Sequence, residues 1–258
     1  MPSQIDRSLD GSVALVTGAS SGIGEATARR LAAHGASVAA AARRFDRLEQ
    51  LTSEIRDLGT SAVAMEADLT EPDQATAVIE RTIEALGRID ILVNNAGVML
   101  LGPIEAAPID EWTRMIELNL RGLIHTTHAA LPHLIGAAES GERGCSDVVN
   151  ISSVSGRVAR VGSGVYSSTK FGVAAFSESF RQEFADRRIR SILVEPGTVD
   201  TELISHVRDG IREQALETVA GVRCLDASDI ADAIAYAVTR PWHVSINEIL
   251  VRPTQEKG

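Results

Sequence analysis

The chain holds only two tyrosines, and one of them, Tyr166, stands four residues before Lys170 in GVYSSTKFG, Gly164–Gly172. On a helix, positions four apart share a face, so a phenol and an ammonium here can point at one spot. A free phenol ordinarily loses its proton near pH 10. A neighbouring cation favours the phenolate and brings that proton into play nearer neutrality. The pair therefore suits proton transfer to or from an oxygen. A half-buried helix also carries Tyr and Lys at this spacing as amphipathic filler, so the pair gains meaning only from what else reaches it.

Other polar groups end apolar runs in the same way. NNAG (Asn94–Gly97) closes the run that starts at Ile89, Ser152 and Ser153 close DVVNISS, and PGTVDT (Pro196–Thr201) follows IRSILVE. Ser153 lies thirteen residues before Tyr166, and Asn119 sits in ELNLRG within a long helical pattern. Taken singly, Ser153 reads as a helix cap and Asn119 as a helix-bending polar residue.

The elements that must position these groups alternate. Strands are expected at Ser12–Gly18, Ser37–Ala42, Ser61–Asp68, Ile89–Gly97, Asp147–Ser153, Ile189–Gly197 and Ile246–Pro253. Helices are expected at Ile23–Gly35, Phe45–Gly59, Glu71–Gly87, Asp110–Ile135, Gly164–Arg187 and Asp226–Val238. Strands alternating with helices predict an α/β fold: one doubly wound, Rossmann-type parallel sheet of about seven strands with helices on both faces. The 258 residues suffice for a single domain, with residues 1–11 as an N-terminal extension and Glu202–Arg223 as a lid over a substrate pocket. The stretch Gly136–Asp147, rich in Gly and Ser, reads as a surface loop. In such a sheet, ligands bind at the carboxyl ends of the strands, where most of the polar groups above fall.

TGASSGIG (Thr17–Gly24) lies between the first strand and the first helix. Gly18, Gly22 and Gly24 let backbone approach a pyrophosphate, with Ser20, Ser21 and Ile23 between them, and the helix N-terminus supplies free N–H groups. A tight βα turn without ligand gives a similar pattern. At the end of the second strand, where an acid commonly binds the ribose 2′-hydroxyl of NAD, stand Ala42, Arg43 and Arg44. A guanidinium binds a 2′-phosphate as a planar charged fork, so NADP(H) is expected over NAD. The same arginines would also serve as the solvated start of a helix.

The net charge of −10 argues against nucleic acid as partner. No apolar stretch approaches membrane-spanning length, the start lacks the features of a signal peptide, and Cys145 and Cys224 stand far apart with no Cys-x-x-Cys. A cytoplasmic protein is expected. His125, His128 and His133 share the long helix. They lack an H-E-x-x-H arrangement or a completing carboxylate, so no metal is expected.

In this order and spacing, TG-x-x-x-G-x-G, NNAG, Asn119, Ser153, Tyr166-x-x-x-Lys170 and Pro196-Gly197 resemble the single-domain short-chain dehydrogenase/reductase family from Ser12 to about Pro253. The runs NNAGVMLLGPIE, WTRMIELNL, KFGVAAFSESFRQE and EPGTVDTEL are similar to an actinobacterial branch that includes clavulanate dehydrogenase. The resemblance implies an NADPH-dependent oxidoreductase interconverting a carbonyl and an alcohol, within specialised metabolism. It implies Tyr166 as general acid/base, Lys170 lowering its pKa and binding the nicotinamide ribose, Ser153 holding the substrate oxygen, and Asn119 anchoring a relay water. It also implies a cofactor bed of Gly18, Ser20, Ser21, Gly22, Ile23, Gly24, Arg43, Arg44, Asp68, Leu69, Asn95, Ala96, Gly97, Tyr166, Lys170, Pro196, Gly197, Val199 and Thr201. Met99, Ser153, Val154, Ser155, Val161 and Leu203 are expected to meet a small-molecule substrate. Apolar residues on more than one side of the two long helices, with the family likeness, suggest a homo-oligomer, a tetramer before a dimer. An epimerase or dehydratase using bound NADP, or a non-catalytic NADP-binding protein, remain the rival classes on this fold.

Overall fold

Seven apolar runs become one sheet. The structure, a computed structural model, describes residues 7–218 and 220–256. The strands are β1 (Val13–Thr17), β2 (Ser37–Ala42), β3 (Ala62–Glu66), β4 (Ile91–Asn94), β5 (Ser146–Ile151), β6 (Ile189–Pro196) and β7 (Glu248–Val251). Every pairing is parallel and the order is β3-β2-β1-β4-β5-β6-β7. β1, β4, β5 and β6 are buried at every position, as a sheet covered on both faces requires.

Because side chains alternate along a strand, β1 sends Ala14 and Val16 to one layer and Leu15 to the other. The first layer is closed by α1 (Gly22–Ala33), α2 (Phe45–Asp57) and α8 (Ala227–Val238) through Leu31, Leu48 and Ile230. The second is closed by α3 (Pro72–Leu86), α5 (Leu123–Ser140) and α6 (Gly164–Phe184) through Ile79, Leu134 and Phe180. Helix ends follow local chemistry. Gly87, at φ 85°, stops α3 with its N–H on the Ile83 carbonyl at 2.8 Å. Asp226 and Asp229 exchange side-chain-to-backbone bonds in a capping box that opens α8. The connections that leave β1 and β4 pack on opposite faces, so a crevice opens above the carboxyl ends of this adjacent pair.

Three expectations need correction. The helix expected at Asp110–Ile135 is α4 (Ile109–Ile116), a π-helical turn over Glu117–Gly122, and then α5. The surface loop expected at Gly136–Asp147 is mostly ordered. α5 runs to Ser140 because Ala137 and Ala138 continue its buried face beside Leu134, and β5 begins at Ser146, which leaves 141–145 as the link. The small residues there signal close packing. Finally, the N-terminal extension lies partly outside the described residues. From Leu9 on it belongs to the body, with Leu9 fully buried and its N–H on the His34 carbonyl at 2.9 Å.

At the amino end of β5, Asp147 is wholly buried. Arg190 of β6 grips it through Nε at 2.6 Å and a terminal nitrogen at 3.0 Å, and Arg143 adds a contact at 2.6 Å. Arg190 also donates to the carbonyls of Val238, Arg240 and Val244. This cluster ties the floor of β5 and β6 to the end of α8. Removing one partner of a buried pair leaves an uncompensated charge. Arg190→Met is expected to lower the unfolding free energy by about 3 kcal/mol in urea titration, with a smaller loss for Arg157→Met, whose more exposed guanidinium pairs with Glu195 and Glu248.

Candidate active site

α6 places Tyr166 and Lys170 on its buried face, each at most 6% exposed. The Lys170 ammonium donates to the Ile151 carbonyl at 2.7 Å, where β5 ends, and lies 5.8 Å from the Tyr166 ring centre. Ser152 Oγ donates to the Lys170 carbonyl at 3.1 Å, so strand end and helix are joined twice. Ser153 caps the 3-10 turn Val154–Gly156, accepting from the Ser155 N–H at 3.1 Å. Its own O–H is left to donate toward the phenol. Capping the turn and donating to another oxygen are thus compatible roles for Ser153.

Burial dominates the proton affinities. It raises the Tyr166 phenol to about 12, against the opposing pull of its hydrogen bond with Ser153. It lowers the Lys170 ammonium to about 8. In the protein alone, burial thus outweighs the neighbouring charge at the phenol. The ammonium is itself starved of water, and it spends its closest bond on Ile151.

Asn119 has a clamping role as well. The π-helical turn carries it inward, where its Oδ1 accepts from the Val98 N–H at 2.8 Å and its Nδ2 donates to the Val98 carbonyl at 2.8 Å and to Thr169 Oγ1 at 3.3 Å. The side-chain amide clamps the loop after β4 to α6.

The crevice is a cavity of about 960 Å³. All the expected cofactor and substrate residues line it except Gly24; of the catalytic set, Asn119 does not. Gly24 works from beneath. A Cβ there would come within 2.4 Å of Asn95 Nδ2 and of the Gly18 carbonyl, so only glycine lets α1 start against the turn. Gly18 adopts φ +65°, and its Cβ would meet the Ala96 backbone at 2.8 Å. Asn95 turns its amide onto the carbonyls of Thr17 and Gly18, at 3.0 and 3.3 Å, and so holds the turn itself. Asp68 Oδ1 is occupied by the Thr70 N–H and hydroxyl at 3.1 and 2.8 Å. Thr201 caps a 3-10 turn over Glu202–His206. That turn and α7 (Ile211–Thr218) form the expected lid segment, which contributes Leu203, Ile204, Ile211 and Leu216 to the cavity wall.

Arg44 reaches Ser20 Oγ at 3.1 Å and Ser21 Oγ at 2.7 Å, while Arg43 stands exposed beside it. Several partners escaped the sequence reading. Glu202 pairs with Arg47 at 2.6 Å and with Arg44 at 2.7 Å, which hold its carboxyl down at about 2. Glu256 returns from the chain end to accept from the Thr198 N–H at 3.0 Å. Both contacts join residues far apart in sequence and leave no local pattern. Thr17 was legible as part of the turn but not as its anchor: its Oγ1 donates to the Val93 carbonyl and accepts from the Asn95 and Ala96 N–H groups. Among the described residues, no group of three or more His, Cys, Asp or Glu is placed to hold a metal, and no helix is long and apolar enough to cross a membrane.

A family model for short chain dehydrogenases matches residues 12–212. The chain belongs to the short chain dehydrogenase family. An uncharacterized oxidoreductase of Staphylococcus saprophyticus is 38% identical over 247 residues, covering 95% of this chain and 96% of its own. Glycine betaine reductase of Emericella nidulans is 39% identical over 248 residues, and there the chain spans only 19% of the relative's length. Among solved structures, the closed form of a serine dehydrogenase complexed with NADP+ is similar at 32% identity and a TM-score of 0.83, covering 95% of this chain and 96% of that one. Further solved members at similar TM-scores hold NADP, 5-hydroxy-NADP or NADH.

The buried Lys170 has a signature in stability. With its folded pKa near 8 and an unfolded value near 10.4, the unfolded chain binds the extra proton between the two. Stability must therefore rise with pH in that window. From roughly pH 7.5 to 9.5 the unfolding free energy of the wild type is expected to rise by about 2 kcal/mol more than that of Lys170→Met, measured in urea.

Proposed function

We propose that this protein is an NADPH-dependent oxidoreductase that interconverts a ketone or aldehyde with its alcohol. The observation that carries the reading is one cavity with Ser153, Tyr166 and Lys170 at one end and Ser20, Arg43 and Arg44 at the other. The bed fits the cofactor: glycine at Gly18 and Gly24 keeps backbone close where a pyrophosphate lies, and two arginines flank the site for a 2′-phosphate. In this reading Gly18–Ile23 hold the pyrophosphate, Asp68, Leu69, Asn95, Ala96 and Gly97 the adenosine side, Lys170 the nicotinamide ribose, and Pro196, Gly197, Val199 and Thr201 the carboxamide. The bound cofactor supplies the hydride.

The chain's own residues do the rest. Ser153 donates to the carbonyl oxygen and stabilises the charge that develops there. Tyr166, protonated across the physiological range, delivers its phenolic proton to the same oxygen as it becomes an alkoxide. The Lys170 charge eases that transfer by favouring the phenolate. Asn119 is a positioning residue that fixes the loop after β4. The lid segment Glu202–Arg223, within its described residues, keeps water from the carbonyl end. A cytoplasmic homotetramer and a place in specialised metabolism near the clavulanate dehydrogenase branch belong to the same proposal. The exposed Ile116 and Phe171 on α4 and α6 support association.

Tyr166→Phe is expected to cut single-turnover hydride transfer a hundredfold to ten-thousandfold while leaving NADPH binding within about twofold; near-normal transfer would overturn the reading. The second test concerns the cofactor. NADPH is expected to bind at least about tenfold more tightly than NADH, and Arg44→Ala to erase the difference. Glu202 already occupies Arg44, so Glu202→Gln should tighten NADPH severalfold and leave NADH unchanged, read by nicotinamide fluorescence.

A further inference from the structure

The cavity's charges are unevenly answered. Three arginines line it: Arg43, Arg44 and Arg160. Arg44 is bonded to Ser20, Ser21 and Glu202, and Arg43 stands with it at the 2′-phosphate end. Arg160 lies far along the chain, in the loop that opens α6 next to Val161 and Ser163. Among the described residues its guanidinium makes no hydrogen bond or ion pair, although its backbone is firmly held. Ser163 Oγ accepts from the Arg160 N–H at 3.1 Å and donates to the Arg160 carbonyl at 2.8 Å, and Gly162 accepts from the Gly102 N–H at 2.9 Å. The side chain is thus presented from a fixed point.

Its surroundings offer no acid. The cavity's carboxylates are Asp68, Asp200, Glu202 and Glu256. None comes from the segments 99–103, 153–166 and 203–216 that form the carbonyl end. Those segments contribute apolar Met99, Leu101, Val154, Val161, Leu203 and Ile204 together with polar groups such as Ser155 and Gln214 instead. A chain of net charge −10 has therefore left one permanent cation unpaired and exposed at the rim of the cavity, on the same side as the proton donor. A guanidinium binds a carboxylate with two parallel N–H donors.

We propose that Arg160 is a specificity-determining residue, and that the substrate is an oxo acid whose apolar stem separates the reacting carbonyl from a terminal carboxylate held by Arg160. Val161, completely exposed at the rim, is then covered by that stem. This inference rests on the carbonyl-reductase reading above and names the substrate class within it.

The test uses the full chain with NADPH and a series of straight-chain oxo carboxylates of increasing length, each beside its methyl ester, with a neutral straight-chain aldehyde as reference. For the best-fitting length, kcat/KM is expected to be at least about tenfold higher for the acid than for the ester. Arg160→Met should lower the acid's kcat/KM roughly tenfold to a hundredfold, chiefly through KM, and leave the ester and the neutral aldehyde within about twofold. Arg160→Lys should retain part of the acid preference. Independently of turnover, calorimetry should show the saturated carboxylate of the same length binding the protein–NADP+ complex, and the corresponding amide binding it more weakly; Arg160→Met should remove the difference. Esters reduced as well as acids, or acid and ester falling together in Arg160→Met, would overturn the proposal while leaving the carbonyl-reductase reading intact. No Tyr166-dependent reduction of any compound, the neutral aldehyde included, would remove both.

Discussion

A buried ammonium must be met by oxygen, and Lys170 meets it at the carbonyl of Ile151, where β5 runs out of strand partners. Much of the site's geometry follows from that bond. It fixes how far α6 slides along the sheet, and so where Tyr166 stands above the strand ends. Ser152, returning a bond to the Lys170 carbonyl, prevents the helix from rolling. Ser153 is then delivered to the phenol by the turn that must follow the strand. A proton donor, a hydrogen-bond donor and a cation come together because one charge could not be left unsatisfied.

The same sheet separates two electrostatic tasks. Its amino end is closed by dense, buried ion pairing around Asp147, Arg143 and Arg190. Its carboxyl end keeps charges apart. There, among the described residues, Arg43 and Arg160 line the cavity without ionic partners. Pairing at the floor gives rigidity, whereas unpaired cations above leave positions for anions to fill. Glu202 is the intermediate case, an internal anion already resting on Arg44 and Arg47.

Much of this was legible in the residues. Strand runs such as SVALV and SILVE are apolar without alternation, which only a doubly covered parallel sheet requires, and the glycines at Gly18 and Gly24 announce a close backbone approach. The Tyr166–Lys170 spacing gave the shared helix face. What escaped was set by distance along the chain. Glu202 meets Arg44 across 158 residues, and Glu256 meets Thr198 across 58; no periodicity encodes such meetings. Asn119 was visible as a polar residue inside a helix, but a π-helical turn was needed to aim it, and its amide proved to be a clamp. The proton affinities could not be read at all, because burial, which the spacing does not report, outweighs the proximity that it does.

The link between α5 and β5 bears on how the chain tolerates alteration. Its composition, two glycines with two charged residues, invites the insertion of a tag or a reporter. Yet 141–145 carries Arg143, whose guanidinium is plugged into Asp147 and the Val238 carbonyl, and Cys145 is buried beside it. Lengthening this link would pull a plug from the floor of the molecule. The turn at Gly59 offers a better seat: nothing lies within 4 Å of a Cβ built there, and it leads only to the edge strand β3. The most permissive stretch by composition is thus among the least permissive by contact, and grafts or circular permutations belong at the sheet's edge.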